Sequence, residues 1–456
     1  MRNASLTPAT SGYTSTFTGA LTQVNMQQMT MTLFGLFIYL FCVHSFKLPI
    51  ASLGIAIGVL GVLARSNEMT FPAPVAWLAA WLVWCGVTGV VSQFRGTVIT
   101  VFIDYLKIFL IFFVAINAAK TRSQLAVFIG TWVLMFGLFP LRGTYLNFFA
   151  GINQVGRYGW NFSFSNYNDL AAYAILVLAL SAFLLAGRYE KWVRVFAFLG
   201  AGSLTLLVML TQSRGAYLAL AIAFVFMLLR SRMRGKLIRF GVLASLAVML
   251  FAPGAVWERI SRMKYLFSSE TLAESDSSAE QRYVLLQVGM SVAKSNLLKG
   301  VGLGAYPDAH GLYAEERTEW QFGRGNRDTH NMYLNLVAET GIPGALLFLA
   351  MLASTLRHAA RVERQIRGVL PVEAEQLRIL RFGMVAYLIA AIFGTLHRVS
   401  FLYLYLAIIW SAATIYQNLF LSLGSGGALT PANPSSGIAM RGSPFQRGRF
   451  GRSSAA

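Results

Sequence analysis

Apolar runs recur along most of this 456-residue chain, and they constrain its fold more than any other feature. Many approach or reach the ~17 to 25 residues that a helix needs to cross a bilayer. With 56% hydrophobic and 12% charged residues, the chain has the composition of a protein dissolved mainly in lipid. We therefore predict an all-α polytopic membrane protein with about 12 transmembrane helices. The apolar windows cover residues 30–46, 50–64, 72–91, 98–118, 124–141, 169–186, 192–212, 215–229, 237–252, 342–356, 383–396 and 401–421.

A long polar interval separates the first nine windows from the last three. We expect this interval to form a large, partly helical loop between helices 9 and 10, where a water-facing site can be built. The N-terminal stretch is rich in Ser and Thr without a signal-peptide pattern, and the Gly-, Ser- and Pro-rich C-terminal stretch has too little apolar content to bury a core. The expected organisation is a disordered tail (1–28), helices 1–9 (29–252), the loop with the candidate catalytic motif (253–341), helices 10–12 (342–422) and a disordered basic tail (423–456).

Basic residues concentrate in alternate loops, for example over residues 230–239 and 357–381. Loops of this kind face the cytoplasm, so both tails should be cytoplasmic and the long loop should face the other side. The formal net charge of +20 therefore sets orientation and contact with membrane lipids, and it does not indicate nucleic-acid binding. Cys42 and Cys85 lie inside apolar runs, a placement that suggests neither a disulfide framework nor a metal site.

Two arginines on the outer side could bind an anion. Arg214 lies in TQSRGAY, a turn of a few residues between two apolar helices, where desolvating an arginine is costly unless an anion pairs with it. The alternative is an arginine that snorkels from a helix end into the interface. Arg282 lies in the first turn of a helix predicted over 279–293, and taken alone such a residue is more often a solvated charge than a ligand.

His330 lies between a charged loop and the start of an amphipathic helix. A neutral imidazole at the mouth of a membrane cavity suits proton abstraction from a sugar hydroxyl, because its pKa lies near the operating pH. A capping or interfacial histidine is the alternative interpretation. The candidate supporting residues around it are Arg327, Asn331, Tyr333 and Glu339.

Glycines mark two further points of the loop. The glycines of LLKGVGLGAY, residues 297–306, could cradle a phosphate through backbone N–H groups, but a plain turn is the more frequent outcome for a glycine triplet without a strand and helix around it. Gly341 and Pro343 should kink the chain where it enters the membrane. In the fourth window, Asp104 and Lys107 lie three residues apart and should pair on one helix face.

Metal and cofactor motifs are missing from the sequence. It contains no HExxH, CxxC, Walker loop or GxSxG, and its remaining histidines have no metal-ligand spacing. We therefore expect neither a metal nor a cofactor.

Four stretches resemble multi-spanning bacterial O-antigen ligases and their relatives, the O-antigen polymerases and protein O-oligosaccharyltransferases. They are SRGAYLAL, QRYVLLQVG, LLKGVGLGAYPD and above all THNMYLNLVAETGIPG, and the resemblance covers roughly residues 161–344. It implies a metal-independent enzyme of the bacterial inner membrane that takes a glycan from undecaprenyl pyrophosphate on the periplasmic side. His330, Arg214 and Arg282 then fall on the family's functional positions. We expect the two arginines to bind the pyrophosphate through forked hydrogen bonds and His330 to act as the catalytic base.

The last of these motifs is specific for the superfamily but not for one branch of it. Ligases and polymerases use the same donor and differ in the acceptor. Basic loop residues (Arg317, Arg324 and Arg327) suit the phosphorylated lipid A-core acceptor of a ligase, although three glutamates nearby (Glu315, Glu316 and Glu319) dilute this argument.

A secondary transporter is the alternative from another class, since twelve spans are common among transporters. Transporters place ionisable groups near the midplane, whereas the candidate residues here gather on the outer side, with Asp104 and Lys107 as the main exception.

Overall fold

The computed structural model describes residues 29–45, 50–154, 156–160, 164, 166–230, 234–251, 277–315 and 324–424. Within these ranges the chain folds into helices, turns and loops, and no β-strand is present. The two predicted tails lie outside the described residues, except for 423 and 424 at the end of the last helix.

Fifteen α-helices lie within the described ranges. They are α1 (Met31–His44), α2 (Ala51–Leu63), α3 (Ala73–Val90), α4 (Arg95–Ala118), α5 (Arg122–Phe136), α6 (Arg142–Phe149), α7 (Tyr167–Ala186), α8 (Lys191–Leu210), α9 (Arg214–Arg230), α10 (Arg234–Phe251), α11 (Ser277–Ser295), α12 (Tyr306–Glu315), α13 (Met332–Ile366), α14 (Pro371–Ala390) and α15 (Ser400–Gly424). A π-helical turn, Gly137–Leu141, joins α5 to α6.

Eight helical stretches in the described residues are long and apolar enough to cross a membrane. Each of the twelve predicted windows falls on a helix, but α1 and α2 have only 14 and 13 residues. Helix α9 has 17 residues, and α10 carries three basic residues within its 18. The all-α polytopic fold is confirmed, whereas the count of twelve spans stays a prediction. The eight stretches are α3, α4, Arg122–Phe149, α7, α8, α13, Pro371–Phe393 and Ser400–Leu423.

Two helices begin well before the apolar windows that predicted them. Helix α13 begins at Met332 and passes through the expected loop boundary at 341, because Asn331 supplies an N-cap ahead of the window. Helix α14 begins at Pro371, since a proline in the first turn of a helix loses no internal hydrogen bond. The windows therefore detected only the apolar parts of these two helices.

Helix α15 lies at the centre of the bundle, with every residue from Leu402 to Ile409 fully buried. The ring of Phe401 stacks on Tyr173 of α7 with centroids 3.8 Å apart, and Trp132 of α5 lies against both rings. At the surface of α4, the predicted pair of Asp104 and Lys107 is present at 2.8 Å.

The two ends of the bundle differ in charge. Where α13 ends and α14 begins, Arg378 donates to Glu363 at 2.8 Å and to Glu375 at 2.7 Å. Arginines and lysines cluster around this end, which we call the basic end. The opposite end, where α13 begins at Met332, we call the site end.

Candidate functional site

His330 precedes helix α13 but does not cap it. The side-chain oxygen of Asn331 accepts hydrogen bonds from the N–H groups of Tyr333 and Leu334, both at 3.0 Å, so Asn331 is the N-cap. His330 itself has a φ of 49°, a left-handed conformation that is uncommon for any residue other than glycine. Thr329 bridges the turn by accepting from the Asn331 N–H at 3.1 Å and donating to the Asn331 carbonyl at 2.9 Å. The side chain of His330 is half-buried and does not supply the helix cap.

The predicted kink of α13 is confirmed at Gly341, which has a φ of 69° and a ψ of 177° inside the helix. A break of this kind, followed by Pro343, removes the helical donors of several carbonyl groups. The N–H groups of Val301 and Gly302 replace them by donating to the carbonyls of residues 338 and 339 at 2.9 and 3.0 Å. The indole of Trp84 donates to the carbonyl of residue 340 at 2.8 Å. Because these carbonyl groups regain partners, the kink can persist in a buried setting.

The glycine-rich loop of residues 300–304 lies against this kink. Gly300, Gly302 and Gly304 all have positive φ, and a Cβ at Gly300 would lie 2.2 Å from the carbonyl oxygen of Glu339. The N–H of Gly304 donates to one carboxylate oxygen of Glu339 at 2.9 Å, and the N–H of Tyr306 approaches the other at 3.4 Å. The loop N–H groups thus bind a carboxylate of the protein itself, and the glycines form a turn that packs on α13.

Glu339 also forms an ion pair with Arg398, which lies in the 3₁₀ turn Leu396–Arg398 between α14 and α15. The carboxylate is 1% exposed and the guanidinium side chain is 28% exposed. Burial opposes the charge of Arg398, but Glu339 and Asp328 outweigh it and raise the pKa of Arg398 above its ordinary value. The adjacent His397 is fully buried, and burial lowers its pKa well below the ordinary value, so it is neutral.

Arg214 is the first residue of α9, at the site end of the bundle, and its side chain is half-buried. The turn before it is buried and anchored: Gln212 donates to the carbonyl of Gly156 at 2.7 Å, and Arg157 donates to the carbonyl of Thr211 at 2.8 Å. Gly215 packs so closely on Phe393 that an added Cβ would lie 2.5 Å from the ring. The start of α9 is therefore held against the segment that follows α14.

The starts of α9 and α13 meet the same stretch of chain, residues 388–394. Tyr333 donates its hydroxyl to the carbonyl of Leu388 at 2.8 Å, while Gly215 packs on Phe393. This shared contact brings Arg214 and His330 to the same end of the bundle, although the two residues are 116 positions apart in the sequence.

Arg282 lies in α11, which confirms the helix predicted over residues 279–293. The side chain of Arg282 lies outside the described part of the structure, and its role stays a prediction. Helix α11 packs on the first turns of α13, since a Cβ at Gly289 would lie 2.8 Å from Leu334. Arg282 is two turns, or about 10 Å, before Gly289 along the helix.

The four candidate supporting residues occupy different positions. Asn331 caps α13, Tyr333 bonds to α14 and Glu339 forms the buried ion pair described above. Arg327 is exposed, and its Nε donates to the carbonyl of Arg324 at 3.1 Å. Three of the four therefore position helices, and Arg327 lies at the surface three residues before His330.

Sequence reasoning did not select Asp169, Arg157 or Arg398, which also lie at the site end. Asp169, in the first turn of α7, interacts electrostatically with Asp328, and its carboxylate oxygen would lie 3.4 Å from a Cβ at Gly394. The guanidinium of Arg157 lies 5.0 Å from the ring centroid of Tyr167. The available signal for Asp169 and Arg398 was their position, since each is an ionisable residue next to the outer end of an apolar window, whereas Arg157 lies within the polar loop between two windows. Within the described residues, no group of three or more His, Cys, Asp or Glu side chains is placed to hold a metal ion.

A search of curated proteins found no match to this chain. The family model described as O-antigen ligase matches residues 199–349, about a third of the chain. The matched segment runs from α8 into α13 and includes Arg214, Arg282, His330 and the kink at Gly341. The match supports an O-antigen ligase family assignment, a family of glycosyltransferase-like enzymes, and the eight apolar helices in the described residues indicate a multi-pass membrane protein.

Proposed function

We propose that this protein transfers a glycan from undecaprenyl pyrophosphate to lipid A-core at the periplasmic face of the bacterial inner membrane, without a metal. The observation that carries the proposal is the placement of Arg214 and His330 at one end of the bundle, where the starts of α9 and α13 both contact residues 388–394. The family match over residues 199–349 includes both residues.

In this proposal, arginines bind the pyrophosphate. Arg214 begins α9, and the N-terminus of a helix favours an anion through its free N–H groups and its dipole. A guanidinium also forms forked hydrogen bonds with phosphate oxygens. Arg214 and Arg282 would thereby stabilise the negative charge that develops on the leaving pyrophosphate.

His330 would act as the base that activates the acceptor. The imidazole takes the proton of the acceptor hydroxyl while that oxygen forms a bond to the anomeric carbon of the glycan. The bond from the anomeric carbon to the pyrophosphate oxygen breaks, and undecaprenyl pyrophosphate leaves with the electron pair. Attack from the face opposite the leaving group inverts the anomeric configuration. The half-buried position of His330, one residue before the helix cap, supports a role other than capping.

Exposed basic residues support lipid A-core as the acceptor. Arg324 and Arg327 lie at the surface just before His330 and could attract the phosphates of lipid A-core. Glu315, also exposed, reduces the net positive charge of this region. A polymerase, which elongates a second lipid-linked glycan, and a protein O-oligosaccharyltransferase would use the same donor, so the acceptor distinguishes the three activities.

The test uses the purified full-length protein in lipid nanodiscs with an undecaprenyl-pyrophosphate glycan and one of three acceptors: lipid A-core, a second lipid-linked glycan or an acceptor protein. We expect product with lipid A-core. Product with the second glycan alone would instead identify a polymerase, and product with the protein alone would identify a protein glycosyltransferase.

Two neighbouring substitutions separate catalysis from helix capping. His330→Asn suits the left-handed backbone, because asparagine tolerates positive φ, but its amide cannot act as a base. We expect it to reduce transfer by about 10² to 10⁴-fold while donor binding persists. The control Asn331→Ala should cost about 1 kcal/mol of stability and retain most turnover. Near-normal transfer by folded His330→Asn would exclude the base role, and loss of donor binding would move His330 into the pyrophosphate site.

A further inference from the structure

A large apolar groove opens between helices α7, α8, α9, α10 and α14. Its volume is about 670 Å³, within the range of ligand-binding cavities in proteins. Apolar side chains form most of its lining, among them Leu178, Phe198, Met227 and Phe382. None of the candidate site residues lines it.

The depth of the groove corresponds to one leaflet of a bilayer. On α7 the lining runs from Ile175 to Ala186, a rise of about 16 Å, and the equally long lining of α14 ends at Ala386. This is close to half of the ~30 Å hydrocarbon core of a membrane. Gln376 donates to the carbonyl of Phe183 at 3.2 Å, which fixes the beginning of α14 beside the end of α7. The groove therefore occupies the half of the bundle next to the basic end.

The mouth of the groove at the basic end is positively charged. Lys191, Arg194 and Arg239 line it, and all three residues are exposed. Glu375 also lines the groove, but its carboxylate accepts from Arg378 at 2.7 Å and is compensated by that pair. An apolar groove one leaflet deep with cations at its mouth matches the shape and charge of a lipid that carries acyl chains below an anionic headgroup.

We propose that this groove is a binding site for an anionic glycerophospholipid, such as phosphatidylglycerol. The acyl chains fill the space between α7, α8, α9 and α14, and the phosphate lies against Lys191, Arg194 and Arg239. The tail of a polyprenyl donor is a less suitable occupant. Its phosphates would bind at the site end, so its tail would supply no anion to the three cations at the opposite end.

The test measures lipid retention by the full-length protein after delipidation in detergent. Phosphatidylglycerol and phosphatidylcholine with identical acyl chains are added back, and bound lipid is counted by native mass spectrometry. We expect retention of phosphatidylglycerol in preference to phosphatidylcholine. Arg194→Gln combined with Arg239→Gln should weaken phosphatidylglycerol binding by roughly 30-fold, because each basic residue near an anionic lipid contributes about a fivefold change.

The matched control is Arg361→Gln combined with Arg364→Gln, two exposed arginines of α13 that do not line the groove. It should leave lipid binding unchanged. A second variant, Ala182→Phe, fills the groove and should reduce the binding of both lipids, with size-exclusion chromatography to confirm a folded protein.

Three results would overturn the proposal: equal retention of the two lipids, unchanged binding in the Arg194 and Arg239 variant, or displacement of phosphatidylglycerol by undecaprenyl phosphate. The last result would assign the groove to the donor. Because the measurement needs no glycan transfer, its failure is distinct from a failure of the proposed enzymatic function.

Discussion

Removing Arg398 should destabilise this protein more than removing Glu339, although the two side chains form one ion pair. The reason is the charged partner that each substitution leaves without a counter-charge. Arg398→Gln leaves a carboxylate that is 1% exposed, with N–H donors from residues 304 and 306 but no cation. Glu339→Gln leaves a guanidinium that is 28% exposed and can still reach water.

The two losses can be estimated from these surroundings. An uncompensated charge left by breaking a buried pair costs about 3 to 5 kcal/mol, which we expect for Arg398→Gln. In Glu339→Gln the amide oxygen can still accept one hydrogen bond, but one donor loses its acceptor, and such a loss costs about 1 to 3 kcal/mol. The double variant, which carries no charge at either position, should cost less than the sum of the single variants.

The assay is the free energy of unfolding of the purified protein, measured by tryptophan fluorescence as SDS is titrated into mild detergent. Glu68→Gln is the matched control, because Glu68 pairs with Arg65 in an exposed turn and loss of such a pair costs about 0 to 1 kcal/mol. We expect the largest loss for Arg398→Gln, an intermediate one for Glu339→Gln and the smallest for the control. A loss for Glu339→Gln equal to or larger than that for Arg398→Gln would refute this reasoning.

Three further predictions concern the site, the loop and the orientation. Glycan transfer should persist in excess EDTA but fall strongly in Arg214→Lys, because an ammonium cannot reproduce forked contacts; loss on chelation that a divalent ion restores would contradict this. Gly300→Ala should lower the SDS-unfolding free energy by about 2 to 4 kcal/mol, because the φ of Gly300 is 68° and an added Cβ would lie 2.2 Å from a carbonyl oxygen. The control Gly202→Ala, on α8 with nothing within 4 Å of an added Cβ, should not be destabilising. In cells with an intact inner membrane, an impermeant maleimide should label Ser295→Cys but not Gly368→Cys, because the alternating basic loops place residue 368 in the cytoplasm. Both native cysteines are buried, and labelling at position 368 would show that the predicted orientation is wrong.

Local features of the sequence were sufficient for the membrane fold and for parts of the site. An apolar run reports helix formation and lipid exposure directly, because both depend on consecutive residues, and all twelve windows fall on helices. The kink at Gly341 and the pair of Asp104 and Lys107 were also predictable, since each involves residues within one helix. The family model that matches residues 199–349 supports the family that the motifs resemble.

Tertiary structure decided what these residues contact. The sequence left open whether the glycine loop binds phosphate or forms a turn, and the answer depends on Glu339, 35 residues after Gly304. The partner of Glu339 is Arg398, a further 59 residues along the chain, and Asp169 comes near Asp328 only because α7 and the start of α13 share one end of the bundle. Periodicity and composition describe each helix separately. Contacts of this kind are fixed by how the helices pack against one another, which no single stretch of sequence specifies.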